Sequence, residues 1–181
     1  MERELLLTGI GGQGVQLAAQ VLARAAAREG KHVMLFGVYA GAMRGMNTDA
    51  TVVVGDGPLQ SPPLLSHTGS AIGMHDKFWA PVARKLRDDA LVLVNDSTFE
   101  TPVDGERYRV VRAPATEMAA DLGHELGGSL VIAGVYAAIT DLVGLDALIE
   151  GMRESIPSYR TQHVEANERT LRAGHEWGKA A

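Results

Sequence analysis

The chain has 181 residues, 46% hydrophobic, 22% charged and 5% aromatic, with a net charge of −5 and no cysteine. That length predicts one domain spanning residues 1–181 with a sizeable core. The acidic balance argues against a nucleic-acid partner, because phosphate binding needs basic surface. The missing thiols exclude disulfides, a thiol nucleophile and cysteinyl iron–sulfur ligation within this chain.

Glu2, Arg3 and Glu4 stand before Leu5–Leu7, which is no signal-peptide pattern, and no apolar run reaches the roughly 18 residues of a membrane span. A cytoplasmic setting is therefore expected. The three leucines read as a buried strand running into Thr8-Gly9-Ile10-Gly11-Gly12-Gln13-Gly14-Val15. Val15, Ala18, Ala19, Leu22 and Ala26 then recur at helical spacing. Strand, glycine turn and helix form a phosphate-cradling geometry: glycine brings the main chain close to a ligand, and the first helical N–H groups have no intrahelical acceptor. Gly9, Gly11 and Gly14 also fit the dinucleotide pattern G-x-G-x-x-G, which wants an acid about 20 residues later at the end of the second strand. His32–Phe36, the predicted second strand, runs into Gly37, Val38 and Tyr39 with no acid, which disfavours NAD. A tight turn without ligand is the competing reading.

The first helix should stop near Glu29-Gly30. Residues 37–49 form a glycine-punctuated stretch whose one basic residue is Arg44, read either as an anion fork or as a surface arginine capping loop carbonyls. Ala50–Val54 reads as strand three and Ala71–Met74 as a short strand. Asp76–Leu86 reads as a helix in which Pro81 implies a kink or a break before it, and Leu91–Val94 and Tyr108–Val111 read as strands. Pro114-Ala115-Thr116 opens a helix that Gly123 stops. Ser129–Val143, almost uncharged, predicts a helix buried on most sides, Asp146 should cap a short helix through Met152, and a polar helix over Tyr159–Trp177 ends the pattern. The expected fold is α/β and Rossmann-like, a mainly parallel sheet covered by helices on both faces with a C-terminal helical tail.

Catalytic patterns are lacking. The six histidines show no zinc-ligand spacing, so no metal site is expected. No G-x-S-x-G elbow occurs, and Val15 and Gln16 follow the glycine turn where a phosphate-binding loop would carry lysine.

Gly9–Val15 with Ala18 and Leu22-Ala23, then Tyr39–Gly45 with Thr51–Val54, resembles the gamma subunit, or gamma domain, of 2-oxoacid:ferredoxin/acceptor oxidoreductases. The similarity continues through Leu91–Asn95, Pro114–Glu117, Ser129–Val143 and the tail around Asn167 and Leu171–Gly174. Two departures concern the arginine loop: Met46 stands where the family has a second glycine, and an extra residue separates Tyr39 from Gly41. The Gly41–Arg44 wording is similar to members acting on larger 2-oxoacids such as 2-oxoglutarate, aryl or branched-chain substrates. The resemblance implies a subunit of a hetero-oligomer that oxidatively decarboxylates a 2-oxoacid to an acyl-CoA. Thiamine diphosphate, magnesium and [4Fe-4S] clusters would be held by alpha, beta and ferredoxin-like delta partners. It implies no catalytic group here. Gly9, Gly11, Gly12, Gln13, Gly14, Arg44 and Gly45 are the expected ligand-side residues, near a site shared by 2-oxoacid and coenzyme A. The alternatives are a stand-alone NAD(P)-binding dehydrogenase and a pure assembly module.

Overall fold

The computed structural model describes residues 1–39, 45–62 and 64–181. In chain order its elements are β1 (Glu2–Ile10), α1 (Val15–Arg28), β2 (His32–Tyr39), β3 (Asn47–Gly55) and β4 (Thr68–Gly73). A single 3-10 turn (Asp76–Phe78) then leads into α2 (Trp79–Ala83), β5 (Leu86–Asn95), β6 (Arg109–Ala113) and α3 (Ala115–Asp121). The chain finishes with α4 (Gly128–Thr140), α5 (Leu145–Ser155), a 3-10 stretch (Ser158–His163) and α6 (Val164–Ala180).

The six strands form one sheet in the order β2-β3-β1-β4-β5-β6. β1, β4, β5 and β6 are parallel, and β3 is antiparallel to both β1 and β2. The mainly parallel expectation holds. The antiparallel β3 lies beyond what the sequence told, because its β-branched run is apolar enough for either direction.

Residue alternation assigns the two faces. Leu5, Leu7, Ile72 and Leu93 face α1, α4 and α5 in the larger core. Leu6, Val53, Val92 and Val94 face the other way and pack with Trp79 and Phe99, whose rings meet edge to face at 5.2 Å. Helices cover both faces as expected, but unevenly: α2 has five residues, and connectors complete that side. α6 is no loose tail. Gly134 and Gly174 let α4 and α6 touch backbone to backbone. A Cβ on Gly134 would lie 2.7 Å from the His175 nitrogen, and one on Gly174 would lie 2.7 Å from the Val131 carbonyl carbon.

Several boundaries differ from expectation. β5 begins at Leu86, because the polar Arg87-Asp88-Asp89 segment, with Asp89 at φ 62°, extends the strand without an apolar signal. The helix expected over Asp76–Leu86 is a 3-10 turn followed by α2, which ends at Ala83; of the kink or break expected before Pro81 the break is found, and Pro81 falls in the first turn of α2, where its missing N–H costs nothing. Asp146 does not cap α5. Gly144 takes the cap position, and Asp146 sits in the first turn. The C-terminal helix begins at Val164, after the 3-10 stretch, rather than at Tyr159.

Candidate functional site: the glycine corner

β1 delivers the chain to the corner and α1 carries it away. Gly12, at φ 103°, and Gly14, at φ 76°, occupy backbone regions that L side chains rarely adopt. Gly9 lets strand and helix close on each other, since a Cβ there would lie 2.8 Å from Val15 Cγ2 and 2.9 Å from Met74 Cβ. Gly14 is the N-cap of α1, and no side chain caps that helix. The N–H groups of Gly12, Gly14, Val15, Gln16 and Leu17 therefore have no acceptor among the described residues. The positive end of the helix dipole adds to that field.

Gln13 holds the corner in shape. Its Oε1 accepts the Ile10 N–H at 3.1 Å, and its Nε2 donates to the Met74 carbonyl at 3.0 Å. These two bonds tie the corner to the end of β4.

The far side of the corner is the entry to β3. The Gly11 N–H donates to the Met46 carbonyl at 2.8 Å, and the Gly45 N–H donates to the Gly11 carbonyl at 3.1 Å. Gly45, at φ 85°, makes this turn possible. The structure thus brings Gly9, Gly11, Gly12, Gln13, Gly14 and Gly45 together. Arg44 lies outside the described residues, one position from this junction. Asp49, next along β3, does not offer a free carboxylate: Thr8 donates to it at 2.6 Å and Asn47 at 2.9 Å.

Three contributors carry no motif of their own. Ser129, at the start of α4, lies beneath Gly14, so a Cβ on Gly14 would meet the Ser129 Cβ at 2.9 Å. Its hydroxyl is buried and has no partner. Asn47, paired across the sheet with Ile10, also has a buried, unpartnered Oδ1. Among the described residues these are the two buried side-chain polar atoms without a hydrogen bond, and both flank the corner. Lys77, on the 3-10 turn after β4, reaches the Gly45 carbonyl at 3.4 Å and adds a cation. Beside it, burial pushes the Asp76 carboxyl up. Hydrogen bonds from the Thr101 hydroxyl and from the Thr101 and Glu100 amides outweigh this and leave the pKa lowered. Gln16, another residue without a motif signal, stitches α1 to β3 through the Asp49 carbonyl at 2.6 Å.

Among the described residues no three His, Asp or Glu side chains gather as metal ligands, and no helix is long and apolar enough to cross a membrane. β2 ends at Tyr39 without the acid that a dinucleotide ribose would need.

Residues 4–177 match the domain family described as pyruvate ferredoxin/flavodoxin oxidoreductase. The ketoisovalerate oxidoreductase subunit VorA of Methanothermobacter thermautotrophicus is 28% identical over 98% of this chain, which spans 37% of that protein. The pyruvate synthase subunit PorC of Thermotoga maritima is 26% identical over 96% of this chain and 93% of its own. The 2-oxoglutarate synthase subunit KorC of Methanothermobacter thermautotrophicus is 27% identical over 87% of this chain and 86% of its own. Among solved structures, the keto/oxoacid ferredoxin oxidoreductase gamma subunit of Geobacter sulfurreducens superposes with a TM-score of 0.84 at 24% identity, covering 100% of this chain and 98% of that one. A 2-oxoglutarate:ferredoxin oxidoreductase chain from Magnetococcus marinus, solved with 2-oxoglutarate, coenzyme A and succinyl-CoA bound, gives 0.86 at 15% identity over 99% of this chain and 31% of its own. A stand-alone NAD(P) dehydrogenase finds no support in these relatives. The chain belongs to the pyruvate ferredoxin/flavodoxin oxidoreductase family.

Proposed function

We propose that residues 1–181 act as a single gamma-type domain of a multisubunit 2-oxoacid:acceptor oxidoreductase working in the cytoplasm. The overall reaction converts a 2-oxoacid and coenzyme A to an acyl-CoA and carbon dioxide, and two electrons pass to ferredoxin or another acceptor. A chain without cysteine cannot ligate a cluster through thiolates, so the clusters, and with them thiamine diphosphate and magnesium, are assigned to alpha, beta and delta-type partner chains. The gamma-type chain itself contributes a binding wall. Its glycine corner receives an anionic group of coenzyme A at a seam between subunits.

The observation that supports this reading is that Ser129 Oγ, a buried hydroxyl with no partner among the described residues, lies against Gly14 at the uncapped start of α1. Buried polar groups without partners are rare, and this potential donor coincides with main-chain N–H groups that also lack acceptors. Lys77 brings positive charge to the same place, and Arg44 precedes Gly45 in the sequence. In the assembled enzyme, Arg44→Ala and Lys77→Met are each expected to raise the apparent KM for coenzyme A about tenfold, the cost of one charge-assisted hydrogen bond, with kcat little changed. If both variants keep the parent KM for coenzyme A and for 2-oxoacid, the corner is only a turn.

A further inference from the structure

The parallel strands begin at the edge of the sheet opposite the glycine corner, and a cleft of about 390 Å³ opens there. Ser70, Leu91 and Arg109 stand in register on β4, β5 and β6. Arg3, two residues nearer the start of β1 than the row, also lines the cleft, and the last turns of α4 form the opposite wall with Tyr136 and Ile139. We propose that this cleft binds a small organic anion. Its carboxylate or phosphate would be held by the Arg109 and Arg3 guanidiniums, and its apolar body would lie against Leu91, Ile139 and the Tyr136 ring.

The charge balance carries the proposal. Three guanidiniums and two carboxylates line the cleft, and both carboxylates are already engaged. Glu2 accepts from the Gln60 and Ser61 amides and from the Ser61 hydroxyl. Glu4 is paired with Arg87 at 2.9 Å. Arg3 gives one Nη1 to the Thr140 carbonyl at 2.7 Å, which offsets the negative end of α4 and leaves its other donors free. Arg109 is exposed and meets no carboxylate among the described residues. Glu2's partners are neutral and leave its charge in place, so with Glu4 offset by Arg87 the lining keeps a net charge of +1, carried by Arg3 and Arg109 against Glu2.

The floor is built rather than accidental. The Ser70 hydroxyl donates to the Glu4 carbonyl at 2.7 Å, so the Tyr136 hydroxyl donates to Ser70 Oγ at 2.8 Å. This network spends the floor's hydrogens internally and leaves the arginines as the anion-binding groups. The volume falls in the range of about 300–1,000 Å³ that small-molecule sites occupy. The proposal does not depend on the glycine corner and can fail separately from it.

The test is an amide-shift titration of the intact chain with phenylacetate, phenyl phosphate and the uncharged phenylacetamide at millimolar concentrations. Phenylacetate or phenyl phosphate should move the signals of Gly69, Ser70, Leu91 and Tyr136 and leave those of the glycine corner in place, and phenylacetamide should not. Whichever anion binds tighter identifies a carboxylate or a phosphate ester as the natural class. Arg109→Gln should weaken binding about tenfold, and Arg3→Gln by a similar factor, with the α1 signals unmoved. Absence of shifts, equal binding of the amide, or unchanged affinity in Arg109→Gln would overturn the proposal. It is also overturned if hydrogen exchange shows the cleft covered in the assembled enzyme and the anions excluded, because a partner's acidic side chain is then the occupant.

Discussion

Gly14 and Ser129 make the corner's demands explicit at the scale of single residues. Gly14→Ala forces a side chain into the left-handed region and against Ser129. Unfolding by denaturant should show a loss of roughly 2–4 kcal/mol, the sum of the backbone term and local overpacking. Ser129→Ala should instead leave stability within about 0.5 kcal/mol of the parent or raise it, because the hydroxyl it removes has no partner. If Gly14→Ala is tolerated as well as Ser129→Ala, the contact at the corner is looser than described. The glycines were legible in the sequence because positive φ and close approach leave few other choices. Ser129, Asn47 and Lys77 were not. A serine opening a buried helix, an asparagine opening a strand and a surface lysine carry no pattern until the fold sets them beside Gly14 and Gly45.

At the scale of elements, periodicity located every strand and long helix, and it failed where polar residues extend an element or where direction is undetermined. Val52–Val54 announces a strand, but nothing in it says antiparallel, and that reversal is what lays the start of β3 beside the corner. Arg87–Asp89 likewise gives no apolar signal for the first part of β5. The contact of α4 with α6 depends on Gly134, Gly174 and Gly178, whose role is spacing rather than flexibility. Gly174→Ala should push the two helices apart and cost roughly 2–3 kcal/mol, readable as a lower thermal midpoint. An unchanged midpoint would mean that α6 is not part of the core.

His175 on α6 links this packing to pH. Burial pushes its pKa below the ordinary 6.5 and Lys179 adds to the shift, while Glu176 and Asp141 oppose it. The unfolded chain then takes up a proton that the folded chain resists, so stability falls as pH drops through about 6.5. Carboxylates act lower down. Glu168 is lowered by its hydrogen bond from Arg172, with burial opposing and Arg153 reinforcing, so its contribution fades only as pH falls below about 4.5. Urea unfolding at pH 7.5 and 5.5 should show the histidine step in the parent, and His175→Gln should lack it. An identical pH slope in both proteins would assign the step elsewhere.

At the scale of the whole molecule, one edge of the sheet carries the glycine corner and the opposite edge carries the arginine cleft, with β1 and α4 running from one to the other. The proposal gives the chain a binding role at the corner and leaves the chemistry to partners. The sequence made the family legible through its motif pair. It could not disclose that Gly45 closes directly on Gly11, because residues 11 and 45 are distant in the chain and meet only through the sheet. The most direct measurement is to purify the chain at native expression level, identify what accompanies it and assay each fraction for 2-oxoacid-dependent reduction of a ferredoxin or viologen acceptor. The account predicts larger cysteine-bearing chains with brown iron–sulfur absorbance, turnover only in that assembly, and none from this chain alone. A colourless homo-oligomer that oxidises substrate by itself, or that binds a nicotinamide dinucleotide, would contradict it.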